Sequence, residues 1–344
     1  MKLARSVVEN RRGPQKFRRM FAWVSSLALG TALGAFSAAP VIAQEKITFA
    51  TSWYAQAEHG GFYQAIATGL YKKAGLDVTI RMGGPQVNVM QLLVAGQVDV
   101  MMGYDLQALK SIEQGIPVVT IGTSFQRDLQ GMLTHEDVPN LASLKGKTIL
   151  VASSGRATWW PWLKNKYGYS DEQARPYTFN LQPFLADRAT VQQGYLSSEP
   201  FAADRAGVKT RFYLFADGGY PPYGTTMVTT QRLVKEKSEV VARFVRATVE
   251  GWKSYIENPA PANELIKKDN PNMSDLQLAY AVAKLKEHGL VTGGDAARLG
   301  IGIITEARWK QTFDFMVKAG LIRADVDFRQ AFTNQFVRDL KIMP

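Results

Sequence analysis

Trp53-Tyr54-Ala55-Gln56-Ala57-Glu58-His59-Gly60-Gly61-Phe62-Tyr63-Gln64-Ala65 decides how the chain folds, together with Gly69-Leu70-Tyr71 and Gly75-Leu76-Asp77-Val78 just after it. Gly83-Gly84-Pro85-Gln86-Val87-Asn88 and Gly96-Gln97-Val98-Asp99-Val100 complete the region. Ile47–Ser52 before it is a short β-type run. Gly60-Gly61 lets the backbone turn tightly into a helix with Phe62, Ile66 and Leu70 on one face. Leu76–Ile80 reads as a second strand, Val89–Val94 as a second helix and Val98–Met102 as a third strand. Alternation at this spacing predicts βαβ units and a parallel sheet, an α/β class. Ligands of such sheets bind beyond the carboxyl ends of the strands. That puts Trp53, Tyr54 and His59, then Asn88, then Tyr104 on one rim. Aromatics after strands also serve simply to cover a sheet edge, but three successive strand ends carrying them favour a binding site.

In that order the tryptophan after strand one, the Glu58–Ala65 entry to the helix, Gly69-Leu70-Tyr71 with Gly75-Leu76-Asp77-Val78, and Gly96 with Asp99 are similar to one protein group. They resemble periplasmic substrate-binding proteins of ABC importers, in the nitrate/sulfonate/taurine and thiamine-pyrimidine-precursor group. The resemblance covers most of the chain after about residue 45. It implies a type II periplasmic-binding-protein fold: two lobes, parallel-rich sheets with flanking helices, and a ligand cleft between the lobes. It also implies a small-molecule ligand and an ABC permease in the cytoplasmic membrane as partner.

The net charge of +11 misleads. Residues 1–43 hold seven Lys/Arg against one acid, and without them 34 basic and 29 acidic residues remain, too mild and dispersed a balance for nucleic acid. That leader has a basic region to Arg19, an apolar run Phe21–Phe36, and small residues ending at Ala43, the order of a cleaved export signal. Arg18-Arg19 resembles the twin-arginine export pattern, although paired arginines also arise by chance in basic regions. The mature chain is thus expected in the periplasm, as a monomer. Zero cysteines exclude a disulfide framework, thiolate metal sites and lipoprotein anchoring.

The polar stretch Gln126–Asn140 marks a crossing to a second lobe, and Gly218–Pro222 the return. The expected organisation is a signal segment 1–43, a first lobe of 44–125 and 219–344, and a second lobe of 126–218. In the second lobe Leu144–Val151 restarts the βα rhythm, and Phe179–Gln182 and Gly194–Phe201 fit later strand-loop units. Ser153-Ser154-Gly155-Arg156 opens a helix carrying Trp159, Trp160 and Trp162; hydroxyls and free amides there make an anion site, unless the serines only cap the helix. Glu199-Pro200 occupies a place where related binding proteins set a polar contact before a helix. Equally, Glu199 fits an ordinary first-turn carboxylate. The tryptophans and methionines of the later helices lie at core spacing.

No His/Asp/Glu set has metal-ligand spacing, and no Gly-x-Ser-x-Gly elbow or Walker loop occurs. The Gly-Gly pairs at 60–61, 83–84, 218–219 and 293–294 read as turn glycines. The expectation is a binding protein with no catalytic residue, metal or cofactor. The resemblance also reaches thiamine-pyrimidine synthases, which consume an active-site histidine; His59 sits where one would be compared. Those enzymes carry a cysteine-rich motif that this chain lacks. A transcription-regulator effector domain would need a helix-turn-helix where the leader stands. Candidate ligand contacts are Trp53, Tyr54, His59, Asn88, Tyr104, Ser153, Ser154, Arg156, Trp159 and Glu199. Ring stacking plus a carboxylate suits an aminopyrimidine. Arg156 with the two serines keeps a sulfonate such as taurine, or another organic anion, in view, and a flavin-type ring would use the same contacts.

Overall fold

The computed structural model describes residues 44–344, so the expected signal segment 1–43 lies outside the described residues. Ten strands form two five-stranded sheets, ordered β2-β1-β3-β10-β4 and β7-β6-β8-β5-β9. The first sheet comprises β1 (Glu45–Ala50), β2 (Leu76–Arg81), β3 (Val100–Gly103), β4 (Val118–Phe125) and β10 (Gly224–Thr230). The second comprises β5 (Gln130–His135), β6 (Ile149–Val151), β7 (Ala174–Pro176), β8 (Val191–Tyr195) and β9 (Thr210–Leu214). In the first sheet β1 runs parallel to β2 and β3, while β10 is antiparallel to both its neighbours. The second repeats this plan, with β5 as the antiparallel strand. Each reversed strand is the one the chain enters on crossing from the other sheet. The rest run one way, as the βα rhythm predicts.

The order of the chain explains the packing. All eight residues of β4 are buried, as expected of a strand covered on both faces. Helix Ser238–Glu257 buries Val241, Phe244, Val245, Thr248, Val249, Trp252 and Tyr255, a stripe at helical spacing. It lies against helix Gly60–Ala67. A Cβ at Gly60 would sit 2.1 Å from the Tyr255 ring, and one at Gly61 2.2 Å from the Trp252 ring. Gly60 has a right-handed helical φ of −53°. These two glycines therefore make room for a close helix–helix contact and are not turn residues.

Two other expectations give way. The polar stretch Gln126–Asn140 holds β5, whose Gln130, Thr134 and His135 are buried with their polar atoms largely paired inside the second sheet. Phe179–Gln182 is not a strand: Phe179 has a φ of 61°, Asn180 Oδ1 accepts from the Gln182 amide, and Gln182 begins a short helix. β4 ends at Phe125, so the outgoing crossing begins at Gln126, where the sequence puts it. Arg308, from helix Glu306–Lys318, donates to the carbonyls of Gln126 (3.0 Å) and Pro221 (3.3 Å), tying the outgoing crossing to the returning one.

Candidate functional site

β1 and β3 end on the side of the first sheet that faces the second. Just beyond β1 come Ser52, Trp53 and a single turn, Ala57–His59; just beyond β3 comes Tyr104. From the second sheet, β8 ends at Tyr195, and Glu199 begins helix Glu199–Arg205. These segments enclose a cavity walled by Trp53, Glu58, His59, Tyr104, Gln130, Ser154, Gln193, Tyr195 and Glu199 among others. It leaves about 30 Å³ to the centres of water molecules, room for roughly two of them. A planar ring therefore enters only if the walls part.

Contacts across the cavity are specific. The Tyr104 and Tyr195 hydroxyls meet at 2.8 Å. Ser197 Oγ donates to the buried Glu58 carboxylate. Trp53 stacks on Tyr177 with ring centroids 5.8 Å apart and planes 15° from parallel. On one flank Gln86, in the loop after β2, donates to the Tyr177 carbonyl at 3.2 Å and accepts from Ser153 Oγ at 3.1 Å.

The electrostatics follow from burial. His59 Nδ1 accepts from the Gln56 amide (3.2 Å), so the proton of the neutral ring sits on Nε2, which has no partner. Burial lowers the His59 pKa to about 3, keeping the ring a neutral donor. Burial raises the Glu58 pKa against the opposing hydrogen bond from Ser197. Burial also lifts Glu199 to about 7, although the Tyr195 amide (2.8 Å) and the Tyr177 hydroxyl (2.7 Å) donate to its two oxygens. No lysine or arginine lines the cavity. It offers an aromatic face, one neutral N–H donor, two reluctant carboxylates, and phenol and amide groups that both donate and accept.

Of the ten expected contacts, Trp53, His59, Tyr104, Ser154 and Glu199 reach the cavity wall. Tyr54 stands beside it, its ring 5.5 Å from Phe179 and 6.2 Å from Trp53. Four lie elsewhere. Asn88 is exposed and caps helix Val89–Val94 by accepting from the Gln91 amide. Trp159 is buried behind the wall, where its indole N–H holds the Gln130 side chain at 2.9 Å. Ser153 is spent on Gln86, and Arg156 is exposed. At the expected anion site two amides already have partners: Ala152 N–H donates to Gln193 Oε1 and Ser153 N–H to the Pro85 carbonyl. The serines do not cap that helix either; its N-cap is Ala152.

Glu58, Gln130, Gln193 and Tyr195 were not among the expected contacts. Glu58 and Tyr195 stand in stretches already singled out, and a carboxylate beside a histidine before two glycines is the signal that could have drawn attention to Glu58. Gln130 was hidden because its strand reads as a polar linker. Among the described residues no group of three or more His, Asp or Glu is placed to hold a metal ion, and no helix is long and apolar enough to cross a membrane.

Comparison with known proteins gives a consistent picture. The riboflavin-binding protein RibY of Chloroflexus aurantiacus is 28% identical over 323 residues, 90% of each chain. A formylaminopyrimidine-binding protein of Halalkalibacterium halodurans is 26% identical, over 80% of this chain and 87% of its own. A 4-amino-5-hydroxymethyl-2-methylpyrimidine phosphate synthase of Aspergillus parasiticus is 30% identical, but over 30% of this chain. The ligand-binding component of an ABC-type import system from Staphylococcus aureus has the same fold at 12% identity, with a TM-score of 0.63 over 86% of this chain and 99% of that one. The family model described as NMT1/THI5 like matches residues 56–262, and the chain belongs to the NMT1/THI5-like family.

Proposed function

We propose that this chain is an extracytoplasmic solute-binding protein that holds a small nitrogen heteroaromatic ligand between its two sheets and passes it, unchanged, to an ABC import permease. The observation that carries the reading is the cavity itself: Trp53 and the neutral His59 donor on one side, Tyr195 and Glu199 on the other, and no cation among its lining residues. A planar ring slides between Trp53 and Tyr177 as their stack opens, where aromatic pairing adds about 0.5–1.5 kcal/mol beyond buried area. Ring nitrogens accept from His59 Nε2–H, and an amino group donates to Glu58 or Glu199. Without a cation, a sulfonate would be desolvated beside two carboxylates, which is costly. The two long-matching relatives are named for riboflavin and formylaminopyrimidine, both nitrogen heteroaromatics, in keeping with this ligand class.

In this reading residues 44–125 and 219–344 form one lobe and 126–218 the other, and the two part to admit ligand. Residues 1–43 direct export and are removed, so N-terminal sequencing of the periplasmic protein reads Gln44-Glu45-Lys46. Calorimetry against an aminopyrimidine, riboflavin and an alkanesulfonate tests the ligand class. Saturable binding of either ring compound, with none for the sulfonate, is expected; tight binding of the sulfonate alone would overturn the reading.

A further inference from the structure

A second pocket lies against the back of the cavity. Ser198 and Glu199 face both, and the outer pocket is also lined by Tyr177, Phe179, Asn272 and Gln277. It leaves about 210 Å³ to water centres, against about 30 Å³ inside. The wall between them includes one hydrogen-bonded pair, Tyr177 hydroxyl to Glu199 at 2.7 Å. Phe179 stands at the edge of this wall, its ring edge-on to Trp53 at 5.9 Å, with a φ of 61°. A bulky residue in the left-handed region is strained, and such strain gathers at ligand clamps.

The lining chemistry of the outer pocket is uncharged apart from Glu199. Asn272 is exposed, and Gln277 Nε2 lies 3.4 Å from both the carbonyl and the hydroxyl of Ser198, a loose hold that leaves its amide free to turn to another partner. No lysine or arginine lines the pocket, so a phosphate would find no counter-charge there. Amides and a hydroxyl are matched by hydroxyls or an amide on a ligand.

We propose that the outer pocket is a subsite for an uncharged, hydrogen-bonding side chain on the ligand's ring, and that the Tyr177–Glu199 pair is the partition this side chain displaces. The inference rests on the ring-binding reading above and narrows it: the ligand is a ring with a hydroxylated or amide-bearing tail, not a bare ring and not a phosphate ester.

Calorimetry on matched pairs tests it. Lumiflavin is set against riboflavin, and 4-amino-2-methylpyrimidine against its 5-formylaminomethyl derivative; in each pair the second compound adds such a tail. The tailed compound of at least one pair is expected to bind about tenfold or more tightly than its bare partner. Riboflavin 5′-phosphate is expected to bind no better than the bare ring. Asn272→Ala and Gln277→Leu each weaken the tailed compound by about three- to tenfold, the worth of one neutral hydrogen bond, and leave the bare ring unchanged. Asn272 is exposed, so its variant keeps the fold. Equal binding of bare and tailed rings, equal weakening of both by the variants, or preference for the phosphate overturns the subsite while the ring-binding reading stands. If no ring compound binds at all, both fall.

Discussion

Asp105 opens helix Asp105–Glu113 and is fully buried where the chain returns to the first sheet. Its Oδ2 accepts from the Tyr223 amide at 3.0 Å, and its Oδ1 has no partner. Burial raises its pKa from 3.8 to about 7, against the Tyr223 hydrogen bond and Arg308, with Asp128 adding to the rise. The unfolded chain releases this proton near 3.8, whereas the folded chain keeps it to about 7. Between those values the native state binds more protons, so stability falls as pH rises: the contribution is complete below about 4 and lost through about 7. One proton changes stability by about 1.4 kcal/mol per pH unit, so the whole window is worth about 4 kcal/mol at most. Asp105→Asn keeps the shape and removes the titration. Since about 1 kcal/mol moves Tm by about 2 °C in a domain of this size, the Tm of the variant should gain about 3 °C on wild type for each pH unit from 5 to 7. Thermal denaturation of both proteins at pH 5, 6, 7 and 8 reads this directly. Parallel curves would refute the reasoning, because they would mean Asp105 is ionised in the fold at pH 5.

Other outcomes follow from the same geometry. Trp53→Ala should weaken a bound ring about two- to tenfold in calorimetry, the range of an aromatic pair, whereas Arg156→Ala, at an exposed position, should leave it unchanged; loss of binding in the latter would restore the anion reading. Glu58→Gln replaces a carboxyl acceptor with an amide, and one neutral hydrogen bond is worth about 0.5–1.5 kcal/mol, so about two- to tenfold weakening is expected for a ring bearing an amino group and no change for one without. X-ray scattering should show a smaller radius of gyration with ligand than in a ligand-free sample, and Arg308→Ala, which frees both crossings, should enlarge the ligand-free radius. A radius that ignores saturating ligand would reject lobe closure.

Much of the first sheet was legible because its elements are local and strongly patterned. Helix Val89–Val94 falls where the sequence puts it, and strand Leu76–Arg81 runs one residue past its expected end. The second sheet was harder to read. β5 carries glutamine, threonine and histidine inward, and only tertiary partners such as Trp159 for Gln130 and the Phe184 carbonyl for His135 make that burial tolerable. Phe179 sits in a conformation that no β-type pattern would suggest for an aromatic residue. Trp53 and Tyr104 could be placed from strand ends alone, since a sheet fixes where its carboxyl edge points. Asn88, Arg156 and Trp159 could not: proximity along the chain does not say whether a side chain turns to the cavity, to solvent or to its own helix cap. Two of the amides expected around Ser153 are occupied, that of Ala152 by Gln193 and that of Ser153 by Pro85, 41 and 68 positions away along the chain.

The central claim is that a heteroaromatic ligand is bound between the sheets and let go intact. Equilibrium dialysis of an aminopyrimidine or riboflavin against the mature protein, with mass spectrometry of the ligand recovered from both compartments, tests both halves at once. Binding is expected to saturate at one ligand per chain with the recovered mass unchanged, with or without added iron. Progressive conversion of the ligand, or no saturable retention of either ring compound, would contradict it.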